Sequence, residues 1–394
     1  MSLNETPMAN RIHIGIFGRR NAGKSSIINA MTGQSLAIVS DVAGTTTDPV
    51  LKAMELLPLG PVVIIDTPGL DDVGELGLMR VQKAYQILNK TDIAVVVIDG
   101  SVGMTEQDEQ ILERIKAKNI PYVIVKNKSD LYEAAEETEE NTISVSAATG
   151  KNIHELKEML GRLAPKEDAN RVIVRDILQQ GDFVVLVVPI DSAAPKGRLI
   201  LPQQQTIRDI LEAGAVPVVT RDTELADTMK NLGRTPRLVI TDSQVFGKVS
   251  KIVPAEVELT SFSILMARFK GDLEANVKGA RMLETLKDGD KVLISEGCTH
   301  HRQCEDIGTV KMPRWIQEYT GKELNFSFTS GTEFPADLSE YALIVHCGGC
   351  TLNEREMKYR LKCAEDQHIP MTNYGICIAY MNGILERSIQ PLNI

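Results

Sequence analysis

One loop constrains this chain more than any other stretch. Gly18-Arg19-Arg20-Asn21-Ala22-Gly23-Lys24-Ser25 follows a strand-like run at 11–17 and leads through Ser26 into a helix-like pattern. A strand that turns through glycines into a helix start presents converging backbone N–H groups, a cradle for phosphate. In such a cradle Lys24 neutralises β- and γ-phosphate oxygens and the Ser25 hydroxyl reaches Mg²⁺, while Gly18, Asn21, Ala22, Gly23 and Ser26 line the turn. Strand-like runs recur at 62–66, 93–99, 121–126 and 142–146, with helical patterns between them. That alternation is the signature of an open parallel α/β sheet.

Three further motifs follow in order. Asp66-Thr67-Pro68-Gly69 ends a strand; Asp66 would hold Mg²⁺ through water, and the Gly69 N–H would sense the γ-phosphate. Asn127-Lys128-Ser129-Asp130 ends another. Its Asp130 carboxylate can accept both the ring N–H and the exocyclic amine of guanine, whereas adenine would leave that carboxylate unpaired. Ser146 and Ala147 read as the last base-contacting loop. The nucleotide is therefore GTP, and the catalytic set expected for its hydrolysis is Lys24, Thr46, Asp66, Gly69 and Glu75.

Thr46 enters through a resemblance. Asp41-Val42-Ala43-Gly44-Thr45-Thr46-Thr47-Asp48 resembles the first switch of the GTPases typified by MnmE, Era and Der. That resemblance implies Thr46 on Mg²⁺, with Thr45 as its fallback. Leu70 follows Gly69 where signalling GTPases carry a glutamine, so the attacking water must be organised otherwise; Glu75, then Asp72, is the candidate. In potassium-activated members of this group an asparagine matching Asn21 helps hold a K⁺ ion near the phosphates. The alternative for Asn21 is a plain turn residue.

At 394 residues the chain calls for about two or three cores. Its fold class is read as α/β: a P-loop GTPase domain at 1–168, then two further α/β domains at 169–261 and 262–394. The middle segment has strand-like runs at 183–188, 215–220 and 237–241 and neither cysteine nor histidine, which suits scaffolding or oligomerisation. In the last, a helical pattern through Leu265, Phe269 and Leu273 precedes strand-like runs at 291–295, 323–329 and 341–345 and a helix at 354–365. A net charge of −10 disfavours nonspecific nucleic-acid binding. No apolar run suits a membrane span and the start lacks the pattern of a signal peptide, so a cytoplasmic setting with reduced thiols is expected.

All six cysteines lie in the last segment. Cys298-Thr299-His300 and His346-Cys347-Gly348-Gly349-Cys350 each follow a strand, at the edge where α/β sheets bind ligands. They can meet if those strands are neighbours. Cys298, Cys347 and Cys350 give three thiolates. His346 and His300, then His301, Cys304 or Glu305, are candidates for a fourth ligand. Three thiolates with one histidine suit both structural zinc and an iron–sulfur cluster, and spacing does not separate them. Cys363 and Cys377, on helical patterns, read as core.

Taken together, the GTPase motifs, the middle segment and the C-x-H…H-C-x-x-C pattern resemble the HydF family, the GTPases of iron-only (FeFe) hydrogenase maturation. The resemblance implies a 4Fe-4S cluster on Cys298, Cys347 and Cys350 with an exchangeable fourth ligand, and a middle dimerisation domain in a homodimer or higher oligomer. It also implies a scaffold that takes a di-iron precursor from radical-SAM maturases and delivers it to apo-hydrogenase. The competing expectation is a tRNA- or ribosome-associated GTPase with a structural zinc.

Overall fold

A computed structural model of the chain describes residues 6–33, 50–69, 84–132, 140–165, 172–190, 199–297, 306–331 and 333–392. Thr45, Thr46, Asp72, Glu75, Cys298, His300, His301, Cys304 and Glu305 lie outside the described residues. The chain divides into two compact units, Met1–Glu167 and Asp168–Ile394.

The first unit is built on a six-stranded sheet in the order β2-β3-β1-β4-β5-β6, from β1 (Ile12–Phe17), β2 (Val50–Leu56), β3 (Gly60–Asp66), β4 (Ile93–Asp99), β5 (Tyr122–Asn127) and β6 (Thr142–Ser144). All pairs are parallel except β2 with β3. The central strands are mostly apolar because both faces are covered. In β4, Ile93, Val95 and Val97 join one core and Ala94, Val96 and Ile98 the other. Helices α1 (Lys24–Thr32), α2 (Glu106–Ala117) and α3 (Ile153–Leu163) pack on this sheet. A capping box in which Thr105 and Asp108 satisfy each other's donors starts α2.

The second unit holds two four-stranded parallel sheets. One, β10-β9-β7-β8, comprises β7 (Phe183–Val187), β8 (Val216–Thr220), β9 (Leu238–Thr241) and β10 (Glu258–Ser261). The other, β12-β11-β13-β14, comprises β11 (Lys291–Ser295), β12 (Asn325–Thr329), β13 (Leu343–His346) and β14 (Met371–Asn373). Helices α4 (Leu201–Glu212), α5 (Leu225–Asn231), α6 (Phe246–Ile252), α7 (Phe262–Lys270), α8 (Leu273–Arg281), α9 (Met312–Thr320), α10 (Glu354–Asp366), α11 (Tyr374–Met381) and α12 (Leu385–Ile389) complete it.

The Leu265, Phe269, Leu273 pattern spans two helices rather than one. Gly271 closes α7, and the Asp272 carboxylate caps α8 by accepting the Ala275 N–H at 2.9 Å. Cys377 is fully buried and Cys363 packs beside a second apolar cluster, as expected of core residues. No described helix is long and apolar enough to cross a membrane.

Candidate functional site

The phosphate loop joins β1 to α1. Gly18 (φ 145°) has no room for a side chain, since a Cβ would lie 2.1 Å from the Val97 carbonyl oxygen. Lys24, buried in the first turn of α1, donates to the Gly18 and Arg19 carbonyls at 2.9 and 2.8 Å. The ammonium thus sits inside the curl of its own loop. Asn21 is exposed with φ 59°, a left-handed conformation that asparagine tolerates better than most residues. That conformation alone accounts for an asparagine there, with or without a bound cation.

Ser25 and Asp66 meet from α1 and the end of β3, the hydroxyl donating to the carboxylate at 3.3 Å. Burial holds the Asp66 carboxyl above its ordinary range, against the opposing pull of Lys24, Ser25 and Lys52. A partly desolvated carboxylate beside a hydroxyl is a donor set short of a cation, which fits Mg²⁺. Folded Asp66 keeps its proton to higher pH than the unfolded chain, so the cost of ionising it grows from the unfolded pKa and is complete above the folded one. Asp66→Asn should therefore raise the melting temperature of the nucleotide-free protein at neutral pH, while Mg²⁺-dependent GTP turnover falls on the order of 10²-fold. Calorimetry and phosphate release measure the two effects.

Asn127 is a brace between loops. Its Nδ2 donates to the Ala22 carbonyl at 3.0 Å and its Oδ1 accepts the Ala147 N–H at 3.1 Å. Gly23 (φ 95°) must be glycine for this to happen, because a Cβ would meet Asn127 Nδ2 at 2.1 Å. Asp130 is exposed at the mouth, and the buried Ser146 hydroxyl donates to its Oδ1 at 2.6 Å, fixing the carboxylate's direction. Lys128 (φ 66°) donates to Asp99 Oδ2 at 2.6 Å, tying this loop to the end of β4.

The strands that precede the two cysteine clusters are neighbours, which is the condition for the clusters to meet. β11 and β13 pair in parallel with Ser295 opposite His346, so both loops leave the same sheet edge. Cys347 N donates to Ser295 O at 2.9 Å, and Gly297, the last described residue before Cys298, donates its N–H to Cys347 Sγ at 3.0 Å. Gly349 N adds a second donor to the same sulfur at 3.4 Å. Amide donors aimed at a half-buried sulfur suit a metal-bound thiolate, so the loop fits an iron–sulfur cluster. Cys350 is also half-buried. Among the described residues alone, no three His, Cys, Asp or Glu side chains form a metal site.

The expectation that His346 supplies a ligand is corrected here. Its ring is fully buried, with Nδ1 at 2.6 Å from the Cys347 carbonyl and Nε2 accepting Arg360 Nη1 at 3.0 Å. Both nitrogens are engaged, and burial together with the Arg360 charge pushes the imidazole down to about 3, so it stays neutral. His346 is a strut for the loop.

Sequence reasoning missed two basic residues around it. Arg360, fully buried on α10, binds Glu356 at 2.9 Å, the Ser295 hydroxyl at 3.4 Å and the Gly331 carbonyl at 2.7 Å besides His346. Removing one partner of such a pair leaves a lone buried charge, at a cost of about 3–5 kcal/mol. Lys270, at the end of α7, donates from Nζ to the Gly349, Cys350 and Leu352 carbonyls. Glu296 lies next to Gly297, accepts the Tyr374 hydroxyl at 3.3 Å and is buried. Burial first, then Cys347, Glu296 and Asp306, holds that phenol well above its ordinary range, so it remains a donor.

Comparison with known proteins bears on both halves. Residues 173–271 match the hydrogen maturase F dimerization domain, and 274–391 match the hydrogen maturase F tetramerization domain. The chain belongs to the hydrogen maturase F family. In its front half, 13–128 match a domain described as 50S ribosome-binding GTPase, so this hydrogen maturase F chain carries a GTPase domain. Among curated proteins, the tRNA modification GTPase MnmE of Dechloromonas aromatica is 33% identical over 171 residues, covering 41% of this chain and 37% of its own. The Laribacter hongkongensis MnmE is 37% identical over 157 residues, covering 38% and 34%. The chain thus spans only about a third of the length of these relatives. A structure of Aquifex aeolicus Era bound to GDP.AlF4− aligns at 21% identity with a TM-score of 0.36, over 56% of this chain and 98% of that one. Within the hydrogen maturase F segments, Lys270 falls in the dimerization match and Cys347 and Cys350 in the tetramerization match.

Proposed function

We propose that this protein is a GTP-hydrolysing metallocluster scaffold that binds a 4Fe-4S cluster and delivers a di-iron precursor during FeFe-hydrogenase maturation. The observation that carries this reading is the meeting of Gly297 and Cys347 across β11 and β13, in a chain whose last two segments match hydrogen maturase F domains. Cys298, Cys347 and Cys350 would hold the cluster. With both nitrogens of His346 engaged, His300 leads the candidates for a fourth ligand, followed by His301, Cys304 or Glu305. When bound, such a cluster supplies an iron position whose ligand can be exchanged. The chain's own residues aim amides at the Cys347 sulfur and hold the strands that lead into the two loops in register.

In the GTPase domain, Lys24 would bind the β- and γ-phosphates, Ser25, Thr46 and Asp66 would serve Mg²⁺, and Asp130 would read guanine. Gly69 N–H would meet the γ-phosphate, and Glu75 would orient the water that attacks it, releasing GDP and phosphate. Asn21 would help hold K⁺ near the developing negative charge. GTP turnover should then be on the order of 10-fold or more faster in potassium than in sodium at equal ionic strength; equal rates would leave Asn21 a turn residue.

The proposed organisation is a GTPase domain to 168, a dimerisation domain at 169–261 and a cluster domain at 262–394, in a cytoplasmic homo-oligomer. Its partners would be radical-SAM maturases and apo-hydrogenase. Edge strand β8 exposes Val216 and Val219, an apolar surface in the segment matched to dimerization. The deciding experiment is iron, sulfide and zinc analysis of anaerobically purified protein. Iron with matching sulfide and a brown colour supports the scaffold. Colourless, zinc-loaded protein supports the tRNA- or ribosome-associated GTPase instead.

A further inference from the structure

We infer that Lys270 is a positioning residue for the proposed cluster: its buried ammonium holds the Cys347–Cys350 loop by the carbonyls and supplies positive charge beneath it. The inference rests on the cluster reading and extends it to a residue outside the cysteine motif.

Lys270 is only 4% exposed, and burying an ammonium is costly unless its protons find acceptors. Its Nζ lies 3.2 Å from Gly349 O, 3.4 Å from Cys350 O and 3.0 Å from Leu352 O. All three acceptors belong to the one loop that carries Cys347 and Cys350. In a trans peptide the C=O and N–H point in opposite directions. Drawing the Gly349 and Cys350 carbonyls onto the ammonium therefore turns the Cys350 and Thr351 amides away from it. On the same loop Gly349 N, in the peptide just before, donates to Cys347 Sγ, and Lys270 orients the two peptides that follow it.

Charge gives the second role. A 4Fe-4S cluster held by three thiolates is anionic and becomes more so on reduction. A cation buried against its ligand loop favours the reduced form, because charge, amide donors and burial set cluster potentials. Lys270 also ends a helix of the segment matched to dimerization, whereas the loop lies in the segment matched to tetramerization. One side chain thus ties the thiolate loop to the oligomer-forming scaffold.

The test uses full-length protein reconstituted anaerobically with iron and sulfide, as wild type, Lys270→Gln and Lys270→Arg. Gln keeps two donors for the carbonyls but no charge; Arg keeps the charge. Redox titration followed by electron paramagnetic resonance should place the K270Q midpoint below wild type. Iron loss to a chelator should be about tenfold faster. K270R should recover most of the potential. Loaded K270Q with the wild-type midpoint and chelation rate overturns the role of Lys270 while leaving the cluster standing. Wild-type protein that takes up neither iron nor sulfide removes the cluster reading, and this inference with it.

Discussion

Serine in place of Cys347 should strip most iron from anaerobically purified protein, with retention falling at least about tenfold and visible absorption falling with it. The expectation rests on what surrounds this sulfur. It accepts the Gly297 and Gly349 amides, and its own N–H is anchored to Ser295. A serine hydroxyl is a harder, shorter and more basic ligand, and it leaves two thiolates where three were proposed. Cys363→Ser is the control, because Cys363 packs beside an apolar cluster as a core residue and should leave iron content unchanged. Equal iron and sulfide in C347S and wild type would withdraw Cys347 from the cluster.

Asp130→Asn should weaken GTP binding by on the order of 10²–10⁴-fold and shift preference toward xanthosine triphosphate. A carboxylate accepts two N–H groups from guanine; a carboxamide offers one acceptor and one donor, which suits the 2-oxo edge of xanthine. The Ser146 hydroxyl fixes the direction of that edge, so the exchange is one of hydrogen-bond polarity rather than of position. Competition binding of guanosine and xanthosine triphosphates measures it. Unchanged guanine affinity in D130N would mean that the base is read elsewhere.

Much of the scaffold was legible because its determinants are local. Strands buried on both faces stand out as apolar runs, and the phosphate, Mg²⁺ and base loops fall at strand ends, as the motifs require. The strands that escaped reading are those with weak local signals. β2 is an edge strand with mostly exposed residues, β10 is four residues long, and β14 has three, two of them polar. Their pairing is fixed by neighbours distant in sequence. The adjacency of β11 and β13, which the cluster reading needed, was a condition that only tertiary structure could meet.

Around the cysteines, composition gave the ligand types but not their supports. Lys270 and Arg360 look like ordinary helix-surface residues in sequence, yet one holds three carbonyls of the loop and the other occupies the ring of His346. Basic residues become loop supports only when distant backbone closes over them, and no spacing rule announces that. His346 misled for the same reason. Adjacency to cysteine suggested a ligand, while the arginine that claims it lies one helix away.

The Asn127 carboxamide has a consequence for how the nucleotide is felt. It spans from Ala22 on the phosphate side to Ala147 on the base side, so the two ends of the pocket share one fastening. Whatever steadies the purine end also quiets the triphosphate end, and guanosine with no phosphates at all would leave the empty cradle stiffer than it found it.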